Sequence, residues 1–276
     1  MRVRSAVGKV RHALVPTPPP PPPPAPAVDR GADQWFWDHY DWAVGELVGF
    51  LAEDGYDLTG CDVADVGCGD GIIDLGLVHR VQPRRLVGFD VNPVREDLLL
   101  ERAAAACVAE ELPPSLEFTV CEAEKLPAAD DAFDAVITWS AFEHIDDPSV
   151  VLAEIRRVLR PDGVLFLQLW PFYGSQHGAH LDDWFPDGFV QYQSDADAIE
   201  RDVLERAENH DWAQYKLREF RSLNRVTLDG LGQALVDAEL RVSKLQLLSE
   251  RVRLPQEVSG VELSRLGISG VMLLAH

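Results

Sequence analysis

An apolar run ending at Val66 is followed at once by three glycines in five residues, Gly67-Cys68-Gly69-Asp70-Gly71, and then by helix-forming sequence from Ile72. A Gly-x-Gly-x-Gly turn between a strand and a helix lets the backbone come close to a ligand, since a Cβ would stand in the way. The free N–H groups of the following helix point at the same spot. The turn thus fixes a strand–turn–helix unit with a ligand at its apex, and the rest of the chain repeats the unit. Apolar runs predict strands at Asp62–Val66, Arg85–Asp90, Leu116–Cys121, Phe133–Ser140 and Gly163–Trp170, with two closing strands at Arg241–Leu248 and Ile268–Leu274. Helical patterns fall between them at Ile72–Val81, Arg95–Glu111, Ser149–Leu159 and Thr227–Ala238. That alternation specifies an α/β fold: a doubly wound, mostly parallel seven-stranded sheet with helices on both faces. Ligands of such sheets lie beyond the carboxyl ends of the strands.

A pyrophosphate-binding turn has the spacing Gly-x-Gly-x-x-Gly. This one is Gly67-x-Gly69-x-Gly71 with Asp65 and Asp70 beside it. Two carboxylates repel a pyrophosphate and suit an ammonium, which argues against a nicotinamide cofactor. At the end of the second strand, Asp90 can accept both hydroxyls of a ribose. After the third, Glu122 offers a carboxylate to an adenine amino group, and the Ala123 backbone can donate to a ring nitrogen. Cys68 within the turn, Val91 after Asp90 and Ser140 at the end of the fourth strand complete the predicted cofactor set.

DVGCGDG, GFDVNP, CEAEKLP, DDAFDAVITWSAFEHIDDP and RRVLRPDGVLFLQ follow one another in this order. From about Val63 to Leu169 the chain resembles the class I methyltransferases. The resemblance implies a Rossmann-like methyltransferase fold and S-adenosylmethionine as cofactor. It implies that Asp65, Gly67, Gly69 and Gly71 shape a methionine pocket, that Asp90 holds the ribose and that Glu122 with Ala123 frame the adenine. Asp162 stands where the family's turn before the fifth strand usually has Gly.

Methyl transfer to a sugar or alkyl hydroxyl needs a base near the attacking oxygen. His144, in Trp139-Ser140-Ala141-Phe142-Glu143-His144-Ile145, is placed at the mouth of the site after the fourth strand and is the candidate base. A structural histidine bonded to a loop carbonyl is the competing reading. Residues 171–225 break the alternation and are expected to form a helical and looped substrate-binding insertion, helical near 198–220. Within it Tyr173, His177, His180, Asp182 and Trp184 are the candidate acceptor-binding residues, because carboxylates accept hydroxyls and aromatic rings stack on sugar faces. Some methyltransferases like this one carry Glu-x-x-Glu-His after the fourth strand and bind a divalent ion such as magnesium. Here Ser140 replaces the first Glu, and Glu143 and His144 would need His177 or His180 to complete a site. The expected activity is O-methylation of a small hydroxylated molecule, a sugar or glycosylated metabolite. An N- or C-methyltransferase and a catalytically silent cofactor-binding regulator are the rivals.

The net charge of −21 disfavours nucleic acid and anionic membranes as partners. No run reaches the roughly 18 apolar residues of a membrane span. The four cysteines (Cys61, Cys68, Cys107, Cys121) lack metal-site spacing, consistent with reduced thiols in a cytoplasmic protein. A homodimer is compatible with these features. An aromatic-rich helix is expected at Asp33–Glu53, either as core or as a lid. Before it, residues 1–30 hold the proline run Pro18 to Pro24 and are expected to be a disordered tail ahead of the domain at 31–276. Deleting residues 1–30 should leave the thermal midpoint within about a degree, as differential scanning calorimetry would register, because the segment has no apolar periodicity to add to a core.

Overall fold

A computed structural model describes residues 33–276, and the proline-rich segment lies outside them. Seven strands form one sheet in the order β3-β2-β1-β4-β5-β7-β6. They are β1 (Asp62–Val66), β2 (Arg85–Asp90), β3 (Leu116–Val120), β4 (Phe133–Trp139), β5 (Leu159–Leu169), β6 (Val242–Ser249) and β7 (Ile268–Ala275). The strands from β3 to β5 run parallel, and β7 enters antiparallel between β5 and β6. The strand order reverses at β1, which pairs with β2 on one side and β4 on the other. The carboxyl ends of β1 and β4 therefore open side by side, and the glycine turn stands there.

Because β1 is buried along its whole length, its residues alternate between two cores. Ala64 and Val66 pack with Leu152, Ile155 and Leu235 on one face. Val63 packs with Leu47, Leu75 and Phe166 on the other. The helices facing these cores include α3 (Ile72–Val81), α4 (Glu96–Ala105), α5 (Pro148–Val158) and α9 (Leu228–Asp237). Helix α4 ends well short of the expected 111, since Cys107 takes the left-handed conformation (φ 58°). Strand β5 starts four residues earlier than predicted, directly from the end of α5, with Leu159 paired to Phe133.

The insertion after β5 carries α6 (Val190–Gln193), α7 (Ala196–Arg206) and α8 (His210–Ser222), with its own small core around Leu181, Trp184, Ile199 and Leu217. The single helix expected near 198–220 is two helices. Ala207 is extended, and Asn209 Oδ1 accepts from Trp212 N to start the second. Between β6 and β7 lies the short α10 (Leu263–Gly267).

At the other end of the chain, the aromatic segment forms α1 (Gln34–Trp37), a π turn over Asp38–Ala43 and α2 (Val44–Ala52). Asp33 caps α1 at Phe36 N and receives both arms of Arg102 from α4 at 2.7 Å. Phe36, Val44 and Leu47 are buried, whereas Trp35 and Trp42 are more than half exposed, so the segment is partly core and partly a cover. It lies on α3 at Gly76, where an added Cβ would come 2.4 Å from Tyr40 O and 2.9 Å from Val44 Cγ2. Gly76→Ala should cost about 1–3 kcal/mol in urea unfolding by forcing this segment off α3. Gly232→Ala in α9, where a Cβ meets nothing within 4 Å, should instead stabilise by about 0.4–1 kcal/mol.

Candidate active site

The glycine turn is strapped to β2 by Gly67 N and Cys68 N, which both donate to Phe89 O at 2.8 and 3.2 Å. All three glycines have positive φ (81°, 57° and 76°). A Cβ on Gly67 would meet Ala141 Cβ at 2.4 Å, and one on Gly71 would meet Phe118 at 2.5 Å. Those two are therefore required by the protein's own packing. A Cβ on Gly69 would meet nothing within 4 Å, so the room for a ligand lies over the middle glycine.

Beside that room, Gly69 N and Asn92 N donate to the two oxygens of Asp90 at 3.1 and 2.8 Å, holding its carboxylate at the end of β2. Val91 beside it is exposed. Glu122 and Ala123 are exposed on a tight turn closed by Lys125 N to Glu122 O at 3.2 Å. Cys68 points inward against Gly88, and burial raises its thiol well above the ordinary range. The Ser140 hydroxyl donates to Gln168 Oε1 at 3.0 Å, and its own N–H does so at 2.8 Å. These bonds brace the end of β4 against β5.

One expectation changes here. Asp70 is not a free carboxylate facing an ammonium: it accepts from Trp35 Nε1 at 2.9 Å and Ile72 N at 3.2 Å, with Arg102 Nη1 at 3.6 Å. Asp65 is 2% exposed and lies against Asp74 of α3, which is fully buried. Asp74 escaped the sequence reading, although an acid three residues past Gly71 on a helix otherwise sealed in the core was the available signal.

Past β4, Phe142–His144 form a single 3-10 turn. Its shape is fixed from the far end of the insertion. Asn224 Nδ2 donates to Phe142 O and Ile145 O at 2.6 and 2.7 Å, and Asn224 N donates to Glu143 O at 2.9 Å. The Ser222 hydroxyl spends its one hydrogen on Glu219 O at 2.8 Å. It must therefore accept from His144 Nδ1 at 2.7 Å. That settles the tautomer: Nδ1 carries the hydrogen, and Nε2 keeps a free lone pair. Burial lowers the pKa of His144, with Glu219 opposing and Lys216 assisting. Helix α8 presents Tyr215, Glu219 and Ser222 at helical spacing along this side, and the Asp70 charge reaches Tyr215. The helix thus spans the distance between the glycine turn and His144.

His180 packs edge-on to His144, ring centroids 5.2 Å apart, and burial drives its pKa down to about 3. Glu143 is 3% exposed, and burial raises it to about 8. Ligand atoms of Glu143, His144 and His180 lie within 4.8 Å of one another. The other predicted acceptor residues do not join this cluster. His177 Nδ1 pairs with Asp182 at 2.6 Å, and His177 lines a small cleft with Trp170, Ser175, Glu250 and Ser269. Tyr173 lies under the Arg225 guanidinium at 4.8 Å. Trp184 belongs to the insertion's own core at 7% exposure, so its ring has no face left for a sugar.

Residues 64–167 match the family model of the methyltransferase domain. That stretch is similar to methyltransferase domains, and the sheet has the Rossmann-like methyltransferase fold. Over 102 residues it is 37% identical to a ubiquinone/menaquinone biosynthesis C-methyltransferase from Desulfotalea psychrophila, covering 37% of this chain and 38% of that protein. Over 122 residues it is 34% identical to a malonyl-[acyl-carrier protein] O-methyltransferase from Hahella chejuensis, covering 44% and 40%. The chain thus spans about two fifths of these curated relatives. Among solved structures, geranyl diphosphate C-methyltransferase from Streptomyces coelicolor A3(2) is similar in fold, with TM-score 0.51 and 15% identity over 84% of this chain and 78% of that one. The cyclase SpnF is similar at TM-score 0.51 and 19% identity, over 83% and 79%.

Within this stretch and beside it, the open space over Gly69, the held Asp90 carboxylate and the orphaned Asp65 Oδ1 have the chemistry to suit the amino acid and ribose ends of S-adenosylmethionine. Asn224→Ala should cost about 1–3 kcal/mol in chemical unfolding, because the carbonyls of Phe142 and Ile145 lose their donor. Asn224→Asp should fail to restore it, since a carboxylate has no hydrogen to give.

Proposed function

We infer that this chain is an S-adenosylmethionine-dependent methyltransferase acting on a hydroxyl of a small molecule, a sugar or glycosylated metabolite. The observation that carries the reading is the Ser222–His144 hydrogen bond, which leaves His144 Nε2 as an unprotonated base beyond the end of β4. When bound, the cofactor supplies an electrophilic methyl group on a sulfonium. The protein's part is then to hold the acceptor oxygen in line and to take its proton. His144 Nε2 accepts that proton, and Ser222 keeps the ring oriented while the imidazolium forms. Asp90 anchors the ribose, and the exposed turn at Glu122 and Ala123 frames the adenine. The exposed Trp212–Tyr215 stack on α8 offers an acceptor the aromatic face that Trp184 cannot. The acidic surface suits neutral or cationic acceptors and disfavours nucleic acid.

With labelled cofactor and a panel of sugars and glycosides, His144→Ala should lower kcat by about two to four orders of magnitude while S-adenosylhomocysteine affinity stays constant. Unchanged turnover in that variant would favour methylation of nitrogen or carbon instead. No labelled product from a metabolite extract would favour a silent regulator. Asp90→Ala should weaken S-adenosylhomocysteine binding by about 1.5–3 kcal/mol in calorimetry.

A second reading has an observation of its own. Glu143 Oε2 and His180 Nε2 are sealed from solvent without a hydrogen-bond partner, and with His144 they make a set of three converging ligand atoms. A divalent ion there would satisfy all three and activate the acceptor hydroxyl in place of the His144 base. Two imidazoles and one carboxylate suit a first-row transition ion better than the magnesium expected from sequence. His177, tied to Asp182, is not part of the set. Activity that is lost to a chelator and regained with manganese or zinc would establish this reading over the first.

A further inference from the structure

Asp65, at the end of β1, and Asp74, in the first turn of α3, are two carboxyl groups in contact inside the core directly beneath the glycine turn. Their exposures are 2% and 0%. As carboxylates, both are acceptors only, and Asp65 Oδ1 with both oxygens of Asp74 have no donor. Two acceptors cannot bond each other unless a proton lies between them. The neighbouring charges supply no relief. Asp90 of β2 raises Asp65, Asp70 of the turn raises Asp74, and Cys68 beside them is held as the neutral thiol. A pair in this setting gives up its protons in two steps that belong to the pair.

We propose that Asp74 is a positioning residue that keeps its proton and donates it to Asp65, so that Asp65 meets the ammonium of an amino-acid-bearing cofactor as a single carboxylate, and that binding expels to solvent the second proton that the free pair carries in acid. The proposal rests on the cofactor reading given above and adds to it a proton that leaves as the cofactor enters. Burial, opposed by the hydrogen bond from Asp74 and reinforced by the Asp90 charge, lifts Asp65 to about 7 in the free protein, so its carboxylate is half titrated near neutrality. An ammonium favours the ionised form. Affinity is therefore full at pH values above the Asp65 pKa and falls as pH drops below it.

The test is calorimetric titration of the full chain at pH 6 and pH 8, each in two buffers of different ionisation enthalpy. The ligands are S-adenosylhomocysteine and 5′-methylthioadenosine, which keeps the nucleoside but lacks the amino acid. S-Adenosylhomocysteine should bind about tenfold more weakly at pH 6 than at pH 8, one pH unit of linkage being tenfold. Its heat at pH 6 should differ between buffers as one released proton requires, and 5′-methylthioadenosine should show neither effect. Asp74→Asn, which still donates, should keep the pH 8 affinity, whereas Asp74→Leu should lose at least about tenfold. If the leucine variant does not fold, the wild-type pH series and the asparagine variant carry the test. The proposal is overturned by an S-adenosylhomocysteine affinity that is level between pH 6 and 8. An equal fall for 5′-methylthioadenosine, or wild-type affinity in a folded Asp74→Leu, also overturns it. S-Adenosylhomocysteine that binds at neither pH would overturn the cofactor reading itself, and this proposal with it.

Discussion

The structure depends on one close approach, that of the glycine turn to the chain around it. Gly67 sits where Ala141 allows no Cβ, and Gly71 sits where Phe118 allows none. The first contact joins the turn after β1 to the segment after β4, and the second joins it to β3. With the turn bonded to β2 through Phe89 O, β1, β2, β3 and the segment after β4 all meet at this one turn. The Asp90 carboxylate takes its position from that convergence. Gly69 is the exception that makes the site usable, since it shares the positive φ and faces open space.

The second organising element is the 3-10 turn at Phe142–His144, which does not hold itself in shape. Asn224 pins its carbonyls, Ser222 orients its histidine and His180 packs against that ring. All three come from the insertion. The end that carries the glycine turn and Asp90 is built by the sheet, and the end that carries His144 is held by chain that enters after β5 and leaves just before α9. Helix α8 lies between them and responds to both, through Tyr215 toward Asp70 and through Glu219 toward His144.

The sheet was legible because its signals are local. A strand such as β2 is an apolar run bounded by polar residues, and α3 and β2 keep the predicted bounds. Endings set by a single residue were not legible. Nothing local announces that Cys107 takes a left-handed conformation and stops α4. The cofactor motifs announced themselves in the same way, as short stretches at strand ends. The insertion resisted, because composition shows which side chains are present and not which way they face. Trp184 reads as a stacking ring and is core, and His177 and His180 read as equals, yet their rings serve different neighbours. Asn224 and Ser222 lie roughly eighty residues from the turn they hold, a distance over which sequence pattern says nothing.

The hold of Asn224 on the turn also bears on how such a chain can diversify. A loop that only covers a site can be exchanged for another without touching the chemistry beneath it. This segment cannot, because its last residues supply the donors for Phe142 O and Ile145 O and the acceptor for His144 Nδ1. A graft that replaces the insertion through residue 225 removes those groups along with the rest of it. One that stops before Ser222 keeps them. The workable crossover point for exchanging the insertion thus falls inside α8, ahead of its final turn, and not at the insertion's edge.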